Sequence, residues 1–329
     1  MRVTVLGAGS WGTTVASLVS KHNDTMLWAR NPDLAVEIRE QHTNSGYLPD
    51  LPLPDRLGAT SDLAEAVSEA DLVVVGVPTH GFRAVLEQAA PDMRPWVPVV
   101  SLSKGFEQGT LYRMTEIIKD VLPGRPAAAL SGPNIAREIM GGMAAASVVA
   151  TEDLSVAAEL QQVLGRGLFR VYTNHDVIGC EVGGALKNVV AIAAGIAQGL
   201  GVGDNTRSAV ITRGLAELTR LGVAMGGEPA TFAGLAGLGD AMVTCISPHS
   251  RNRRVGEQLG LGRKLDEIMA EMNMVAEGVK AAGLVLELAE RHGVEMPIAR
   301  HIHDVIGGQE GPLDAFAGLL PPGHELDAG

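Results

Sequence analysis

A glycine-rich turn near the start of the chain is the feature that most constrains its fold. Gly7, Gly9 and Gly12 form a G-x-G-x-x-G pattern that follows the apolar run Val3–Leu6 and begins a helix-like stretch. The first glycine permits a tight turn, the second lets backbone approach a pyrophosphate, and the third allows close packing of helix on sheet. In this strand–turn–helix context the pattern predicts a dinucleotide-binding unit, with a purely structural turn as the alternative.

The first half of the sequence alternates short apolar runs with helix-like stretches such as Trp11–Lys21. This alternation is typical of βαβ units and predicts a doubly wound, mainly parallel sheet. One run, Leu72–Val77, shows no polar alternation, as expected for a strand that is covered on both faces. The predicted strands are Val3–Leu6, Thr25–Ala29, Leu72–Val77, Val97–Ser101, Ala127–Leu130 and Ala146–Ala150.

From about Asp176 the pattern changes to long helical segments. The predicted helices there are Val182–Leu200, Thr206–Met225, Asn252–Leu259, Leu265–Glu271, Gly278–His292 and Pro297–Ile306. We therefore predict an α/β protein with a Rossmann-type NAD(P)-binding domain over residues 1–175 and a mainly α-helical substrate and catalytic domain over residues 176–329. The glycine- and proline-containing tail after about residue 307 is expected to be weakly ordered.

The charge of the chain excludes several classes of partner. Its formal net charge is −12, so the phosphates of nucleic acids and anionic membrane surfaces would be repelled. The most apolar stretch, Val182–Leu200, contains Lys187 and Asn188, which favours a buried core helix over a membrane segment. We expect no nucleic-acid partner and no integral membrane segment. Any anionic ligand must be held by a local cluster of positive charge.

The N-terminal sequence, the cysteines and the histidines indicate in which cellular compartment the protein is expected. The chain begins with the strand-like run Arg2–Leu6 rather than with a signal peptide. Cys180 and Cys245 are too few for a disulfide framework and lack the spacing of a zinc site. His301 and His303 would point to different faces of a helix, so no metal site is expected. These features predict a cytoplasmic protein with reduced thiols.

The end of the second predicted strand bears on which dinucleotide binds. An acidic residue there would bond the ribose hydroxyl of NAD, whereas an arginine accepts the extra phosphate of NADP. The sequence has Arg30 at this place and no acidic residue before Asp33. Arg30 therefore favours or at least permits NADPH, with a solvated surface arginine as the alternative. The expected cofactor is NADP(H), NAD(H) or both, with backbone N–H groups of Ser10 and Trp11 facing its phosphates.

Two polar loops, Ser101–Gly105 and Ser131–Asn134, each follow a predicted strand. Ligands of open α/β sheets lie beyond the carboxyl ends of the strands, so both loops should border the site. Lys104 is a candidate for reaching the substrate or the cofactor. A solvated lysine is the alternative.

The stretch 183–190 carries Lys187 among apolar neighbours. Gly184, Lys187, Asn188 and Ala191 share one helical face, whose small residues would let a ring such as nicotinamide lie against it. Burying an unused ammonium is costly, although a lysine can also extend to solvent. Carbonyl reduction needs a proton donor beside the hydride acceptor, and Lys187 is the candidate.

Two further segments carry charge. Asp240 lies in a glycine-rich apolar segment and is either a turn residue or a partner for the ammonium of Lys187. The run Ser250–Arg254 contains three arginines, which usually indicates a solvated helix face. The forked guanidinium of Arg251, beside Asn252, is nevertheless well suited to a phosphate monoester.

In order and spacing, several of these segments together resemble the bacterial form of the NAD(P)-dependent glycerol-3-phosphate dehydrogenase family. The resemblance covers nearly the whole chain up to about Ile306. The segments that carry it are Gly7–Thr13, Leu102–Gly105, Leu130–Asn134, Gly183–Asn188, Leu235–Asp240 and Ser250–Arg253. One departure is Asn134, where relatives often have Ser or Thr; it keeps hydrogen-bonding capacity, so only the detailed substrate contact is in question.

The resemblance implies reversible interconversion of dihydroxyacetone phosphate and glycerol 3-phosphate, which feeds glycerophospholipid synthesis. It also implies that Lys187 is the general acid/base, that Asp240 supports it, and that Lys104 takes part near cofactor and substrate. The implied substrate-binding residues are Lys104, Gly132, Asn134, Lys187, Asp240, Ser250, Arg251 and Asn252. The implied cofactor-binding residues, with the glycines of the turn, are Gly7, Gly9, Ser10, Trp11, Gly12, Arg30, Lys104, Ala136, Arg251, Val275 and Glu277.

On this interpretation, hydride passes from the nicotinamide to the ketone carbon while Lys187 protonates the developing alkoxide. Arg251 and Asn252 anchor the phosphate, whose binding energy positions the carbonyl. One alternative is another two-domain reductase, acting on a hydroxy acid or on ketopantoate. Another is a non-catalytic NAD(P)H sensor, which would leave the coincidence of Lys187 with Asp240 unused. The sequence leaves open the preference between NADPH and NADH and whether the chain forms a homodimer.

Overall fold

The chain divides into two compact units in a computed structural model that describes residues 1–272 and 277–314. The first unit spans Met1–Glu181 and the second Val182–Gly329. Helix α8, Val177–Gly199, runs through the boundary. The domain boundary predicted at residues 175 and 176 stays a prediction. Most of the tail that was expected to be weakly ordered, residues 315–329, lies outside the described residues.

The first unit is built on one eight-stranded sheet with the strand order β3-β2-β1-β4-β5-β6-β7-β8. Neighbouring strands are parallel except β6 and β7, which are antiparallel. The predicted doubly wound, mainly parallel sheet is therefore confirmed. The strands are β1 (Arg2–Leu6), β2 (Asp24–Trp28), β3 (Leu57–Thr60), β4 (Leu72–Val75), β5 (Val99–Ser101), β6 (Ala127–Ser131), β7 (Ala145–Ala150) and β8 (Phe169–Asn174).

Helices cover both faces of this sheet. In β4, Leu72 and Val74 pack into the apolar cluster on one face, whereas Val73 and Val75 pack into the cluster on the other. This explains why the strand lacks polar alternation. The helices of the first unit are α1 (Ser10–Ser20), α2 (Pro32–Val36), α3 (Leu63–Ser68), α4 (Thr79–Ala89), α5 (Met114–Val121), α6 (Ala136–Met140) and α7 (Leu154–Leu164), with a π-helical segment at Glu37–Gln41 and a 3₁₀ turn at Ala90–Asp92.

The sequence-based strand assignment missed both edges of the sheet. Strand β3 has only four residues and includes Gly58, which has low strand propensity. Strand β8 exposes Arg170, Tyr172 and Thr173, so it lacks a continuous apolar run. Edge strands are covered less than central ones, and their hydrophobic signal is correspondingly weak.

The second unit is helical in its described part, as predicted. Its helices, continuing from α8, are α9 (Asp204–Ala224), α10 (Pro229–Phe232), α11 (Asp240–Ile246), α12 (Arg251–Gly260), α13 (Leu265–Ala270), α14 (Glu277–His292) and α15 (Pro297–Ile306), with a π-helical segment at Leu235–Gly239 before α11. Glu217 on α9 accepts hydrogen bonds from the N–H groups of Ile298 (2.8 Å) and Ala299 (3.3 Å), and so caps α15. Burial raises the pKa of the Glu217 carboxyl above its ordinary value, which these bonds partly offset.

Two helical stretches among the described residues are long and apolar enough to cross a membrane by length and composition alone. One is α8, and 94% of its apolar window is buried inside the protein. The other is Pro229–Ile246, of which 39% is buried. A buried core helix passes the same test, so the expectation of a core helix fits the environment of α8.

A bidentate ion pair fixes the segment that follows Lys104. Arg83 on α4 donates to both carboxylate oxygens of Glu107, at 2.8 and 2.9 Å, and also to Asp120 at 2.5 Å. The Glu107 side chain is only 16% exposed. The hydrogen bonds from Arg83 hold the pKa of Glu107 below its ordinary value.

We expect Glu107→Gln to lower the free energy of unfolding by about 1–3 kcal/mol at neutral pH, since a charge-assisted hydrogen bond is lost. Because the folded-state pKa of Glu107 is depressed, its contribution is present above the ordinary carboxyl pKa and is lost as pH falls through the folded value. The gap between wild type and variant in urea unfolding should therefore close on acidification. Glu159→Gln, at an exposed site, is the matched control. A gap that stays constant into the acid range would contradict this assignment.

Candidate active site

The glycine-rich turn joins β1 to α1 with almost no room for side chains at two of its three glycines. Gly7 has φ +111°, and a Cβ there would lie 2.9 Å from the carbonyl group of Gly76. A Cβ on Gly12 would lie 2.0 Å from the carbonyl oxygen of Gly7. A Cβ on Gly9 would meet no atom within 4 Å. The turn is thus closely packed at Gly7 and Gly12 and open at Gly9, where a ligand could approach the backbone.

The N-terminus of α1 offers unused backbone donors. Its first helical hydrogen bond runs from Thr13 N to Gly9 O at 2.9 Å, so the preceding N–H groups, those of Ser10, Trp11 and Gly12, have no acceptor within the helix. Gly9 supplies no capping side chain, and the first turn contains no acidic residue. An uncapped helix start next to an open glycine fits the pyrophosphate of a dinucleotide. The Trp11 side chain packs edge-to-face on Phe169, with ring centroids 5.9 Å apart.

Arg30 lies exposed just after β2, which fits both a contact with a cofactor phosphate and a solvated arginine. Asn31 then caps α2, because its Oδ1 accepts the N–H of Asp33 at 2.9 Å. Asp33 therefore belongs to the first turn of α2 and not to the strand end. Ala136 is the first residue of the short helix α6 and is half-buried.

The loops after β5 and β6 meet, so three predicted site residues come together. Lys104 donates from Nζ to the carbonyl oxygen of Gly132 at 2.9 Å. Gly132 has φ +136°, and a Cβ there would lie 3.1 Å from Cα of Ser147. Asn134 donates from Nδ2 to Oγ of Ser147 at 3.0 Å, and Ser147 in turn donates to the carbonyl oxygen of Ser131 at 2.9 Å. Sequence reasoning missed Ser147, which lies on a strand with no polar motif around it.

The second unit buries a charged pair. Lys187 on α8 is 7% exposed, and Asp240 at the start of α11 is 0% exposed. The ammonium of Lys187 donates to Oδ1 of Asp240 and to Oγ1 of Thr244, the latter at 2.9 Å. Thr244 also donates to the carbonyl oxygen of Asp240, one helical turn earlier, at 2.6 Å. From the sequence, Asp240 is a possible partner for Lys187, and the structure brings the two side chains together. Thr244, which lies four residues after Asp240, is not identified from the sequence.

Helix α8 packs closely on α12 through glycines of both helices. A Cβ on Gly195 would lie 2.0 Å from the carbonyl oxygen of Arg253, and one on Gly256 would lie 2.0 Å from that of Ile192. Only glycine allows two helices to approach so closely. Sequence reasoning offered the small residues of α8 as space for a ring. Those residues include Gly184 and Ala191, and this use of them stays a prediction. Gly195 and Gly199, farther along the helix, make room for α12.

A chain of hydrogen bonds with one direction links α14, α12 and α8. The N–H of Gly278 donates to Oδ1 of Asn252 at 3.0 Å, and Nδ2 of Asn252 donates to Oδ1 of Asn188 at 2.9 Å. Because a backbone N–H can only donate, the orientation of the Asn252 amide is fixed. Asn252 is buried, with both ends of its amide bonded inside the second unit. Asn188, the neighbour of Lys187, was not among the predicted site residues.

The arginine run separates into different environments. Ser250 caps α12, since its Oγ accepts the N–H of Arg253 at 3.3 Å. Arg253 donates to the carbonyl oxygen of Ser247 at 3.0 Å and pairs with Glu257 at 3.2 Å. Arg251 and Arg254 are exposed. Arg253 is thus tied into the fold, while Arg251 is an exposed residue at the start of α12.

Two predicted cofactor residues lie near the start of α14. Glu277 is its first residue and is half-buried. Val275 lies outside the described residues.

Both cysteines are free and buried. Burial raises the pKa of Cys180 and of Cys245 to about 12, so neither supplies a thiolate at neutral pH. Over residues 1–272 and 277–314, no group of three or more His, Cys, Asp or Glu side chains is arranged to hold a metal ion.

Two family models match this chain. The N-terminal model of NAD-dependent glycerol-3-phosphate dehydrogenase covers residues 2–157, and the C-terminal model covers residues 176–317. The chain belongs to the NAD-dependent glycerol-3-phosphate dehydrogenase family. The family predicted from the motifs is confirmed, and with it the prediction of an NAD(P)-dependent oxidoreductase.

Individual members of the glycerol-3-phosphate dehydrogenase family match over nearly their full length. Glycerol-3-phosphate dehydrogenase [NAD(P)+] 2 of Sphingopyxis alaskensis is 58% identical over 320 residues, which are 97% of this chain and 96% of that protein. The crystal structure of glycerol-3-phosphate dehydrogenase from Coxiella burnetii has a TM-score of 0.92 and 35% identity, covering 97% of this chain and 98% of that one.

A ketopantoate reductase from Ralstonia eutropha JMP134 bears on the alternative of a different reductase. It matches with a TM-score of 0.62 at 18% identity, over 96% of this chain. At this identity the match shows a shared fold and no more. The two family models and the 58% identical relative favour glycerol-3-phosphate dehydrogenase over ketopantoate reductase. The roles assigned to single residues stay predictions.

We expect the Lys187–Asp240 pair to show strong energetic coupling. Lys187→Met leaves a carboxylate buried without its counter-charge and should cost about 3–5 kcal/mol of the free energy of unfolding. Asp240→Asn should also destabilise, while the double variant should lose much less than the sum, because no unpaired charge remains. Urea unfolding of the four proteins measures this cycle. The exposed pair Lys119–Glu152 is the matched control and should show little coupling. Additive losses at Lys187 and Asp240 would contradict the account.

Proposed function

We propose that this protein catalyses the reversible interconversion of dihydroxyacetone phosphate and glycerol 3-phosphate with NAD(P)H, in the cytoplasm, as a supplier of glycerophospholipid synthesis. Membership of the family supports the reaction. The observation that carries the proposal is the buried ammonium of Lys187, held by Asp240 and Thr244. A chain that merely sensed NAD(P)H would gain nothing from this costly arrangement. The substrate is a small phosphorylated molecule.

Residues of both units are assigned to the dinucleotide, beginning with the glycine-rich turn of the first unit. The open side of Gly9 and the donors of Ser10 and Trp11 would hold the pyrophosphate, and Arg30 would receive the additional phosphate of NADP. We also assign Lys104, Ala136, Arg251, Val275 and Glu277 to cofactor binding, on the strength of the family motifs. The cofactor, when bound, supplies the hydride.

Lys187 is the proposed general acid/base. In the direction of reduction it donates a proton to the oxygen of the substrate ketone as negative charge develops there. In the direction of oxidation it accepts the hydroxyl proton. Asp240 and Thr244 leave the ammonium few orientations, because it donates a hydrogen bond to each of them. A fixed ammonium in a water-poor environment stabilises an oxyanion without reorganisation.

The phosphate of the substrate is assigned to the start of α12. Arg251 is the first residue of that helix and is exposed. Its forked donors, and the positive end of the helix dipole, suit a phosphate monoester. We assign Ser250 and Asn252 to the same group, and Lys104, Gly132 and Asn134 to the rest of the substrate.

Replacing Lys187 by Met should lower kcat for dihydroxyacetone phosphate by about 10²–10⁴-fold, the usual contribution of a general acid. The dissociation constant of NADPH should change little, because the cofactor residues are left intact. NADPH absorbance with saturating substrate gives kcat, and binding titration gives the affinity. Lys280→Met, at an exposed lysine of α14, is the control and should behave as wild type. Near-normal kcat in Lys187→Met would remove this residue from the role.

Arg251→Ala and Arg254→Ala form a matched pair, since both remove an exposed arginine from α12. Arg251→Ala should raise KM for dihydroxyacetone phosphate by about 10–100-fold, as a charge-assisted phosphate contact is lost. It should affect unphosphorylated dihydroxyacetone far less. Arg254→Ala should alter neither. Equal losses on both substrates in Arg251→Ala would refute the phosphate assignment.

A further inference from the structure

Asn44, a residue outside the glycine pattern, is tied directly to the glycine-rich turn. It is 0% exposed and follows the π-helical segment Glu37–Gln41. Its Nδ2 donates to the carbonyl oxygen of Ala8 at 3.0 Å and to Oγ1 of Thr13 at 2.8 Å. The contact to Ala8 spans 36 residues of sequence, so it exists only in the folded first unit.

The bond to Ala8 determines where the next N–H points. In a planar trans peptide the carbonyl and the N–H face opposite ways. With the Ala8 carbonyl turned towards the buried Asn44 amide, the N–H of Gly9 is turned away from it. The same bond engages a carbonyl dipole that would otherwise be free to rotate towards an anion and repel it.

The orientation of the Asn44 amide follows from its partners. If the amide were reversed, its oxygen would face the Ala8 carbonyl oxygen, and both would be acceptors. In the observed orientation Oδ1 is buried without a hydrogen-bond partner. Leaving a buried acceptor unpaired costs free energy. The fold therefore keeps the two bonds that Nδ2 of Asn44 donates to Ala8 and Thr13, although Oδ1 of the same side chain goes without a hydrogen bond.

The turn that carries Asn44 is anchored on both sides. Glu37 accepts the N–H of Ser45 at 2.6 Å and the hydroxyl of Thr43 at 3.0 Å. The bond from Ser45 contributes most to holding the pKa of Glu37 below its ordinary value. On the other side Ser10 donates to the carbonyl oxygen of Tyr47 at 3.0 Å. The segment 43–48 is therefore a brace between the π-helical segment and the glycine-rich turn.

We propose that Asn44 is a positioning residue for cofactor binding: by holding the Ala8–Gly9 peptide in one orientation, it prepares the glycine-rich turn for the pyrophosphate. This inference rests on the proposed function for the identity of the cofactor. It assigns to Asn44 no contact with the ligand. The effect of Asn44 on binding should be specific to ligands that carry phosphate. Adenosine has no phosphate, so its binding does not depend on the direction of the N–H groups in the glycine-rich turn.

The test compares equilibrium binding of ADP and of adenosine by calorimetry in wild type and Asn44→Leu. Leucine matches the size of asparagine and removes both donors. We expect ADP to bind about tenfold more weakly, as the loss of one oriented charge-assisted contact implies, and adenosine to change less than about twofold. KM for NADPH should rise similarly, while kcat at saturating NADPH should stay within about twofold of wild type.

Thr13→Val is the matched control, since it removes the other acceptor of Asn44 and leaves the bond to Ala8. It should leave the ADP-to-adenosine ratio unchanged. If Asn44→Leu does not fold, Asn44→Ser, whose hydroxyl is too short to reach Ala8, should give the same selective loss. Equal weakening of ADP and adenosine, or equal loss in Thr13→Val, would overturn the proposal and leave Asn44 a structural residue only.

Binding of ADP does not depend on which ketone is reduced. If dihydroxyacetone phosphate is not turned over but the selective loss of ADP is found, the proposed function fails and the inference stands. If turnover is normal and the ADP-to-adenosine ratio is unchanged in Asn44→Leu, the function stands and the inference fails.

Discussion

The buried ion pair between Lys187 and Asp240 is the interaction on which the rest of the second unit depends. An ammonium in an apolar interior is tolerated only when a carboxylate and further acceptors replace water. Asp240 and Thr244 provide them from successive turns of α11. The pair therefore ties α8 to α11, while glycines of α8 and α12 let those two helices pack closely farther along α8. Well-packed hydrophobic residues are often as stabilising as a buried ion pair, so stability alone does not explain the charges here.

In the first unit, backbone N–H groups rather than charged side chains attract the proposed anionic ligand. The chain carries a net charge of −12, yet its proposed ligand is an anion. Backbone donors at the start of α1 supply attraction without any added side-chain charge, and the absence of acidic residues from that turn avoids repulsion. The tightness of Gly7 and Gly12 keeps these donors at one place, while the brace at Asn44 orients the peptide before them. Local geometry thus outweighs the overall charge, because Coulomb interactions at longer range are screened by salt.

Features with a local cause could be predicted from the sequence. The glycine pattern, the covered strand Leu72–Val75 and the candidate lysine in an apolar helix each depend on neighbours in the chain. Features with a distant cause could not. The bond from Asn44 to Ala8 and the chain Gly278–Asn252–Asn188 join residues that no periodicity relates. The short edge strand β3 was missed for a related reason, since only its pairing with β2 makes Leu57–Thr60 a strand. Thr244 is the exception, because it lies one helical turn after Asp240 and this spacing alone predicts that the two residues share a helix face.

The most direct test of the central claim is a crystal structure of the ternary complex with reduced cofactor and dihydroxyacetone phosphate. The account predicts that Nζ of Lys187 lies within hydrogen-bond distance of the ketone oxygen, about 2.6–3.2 Å, while keeping its bond to Asp240. A ketone oxygen bound by other groups, with Nζ of Lys187 well beyond that range, would contradict it.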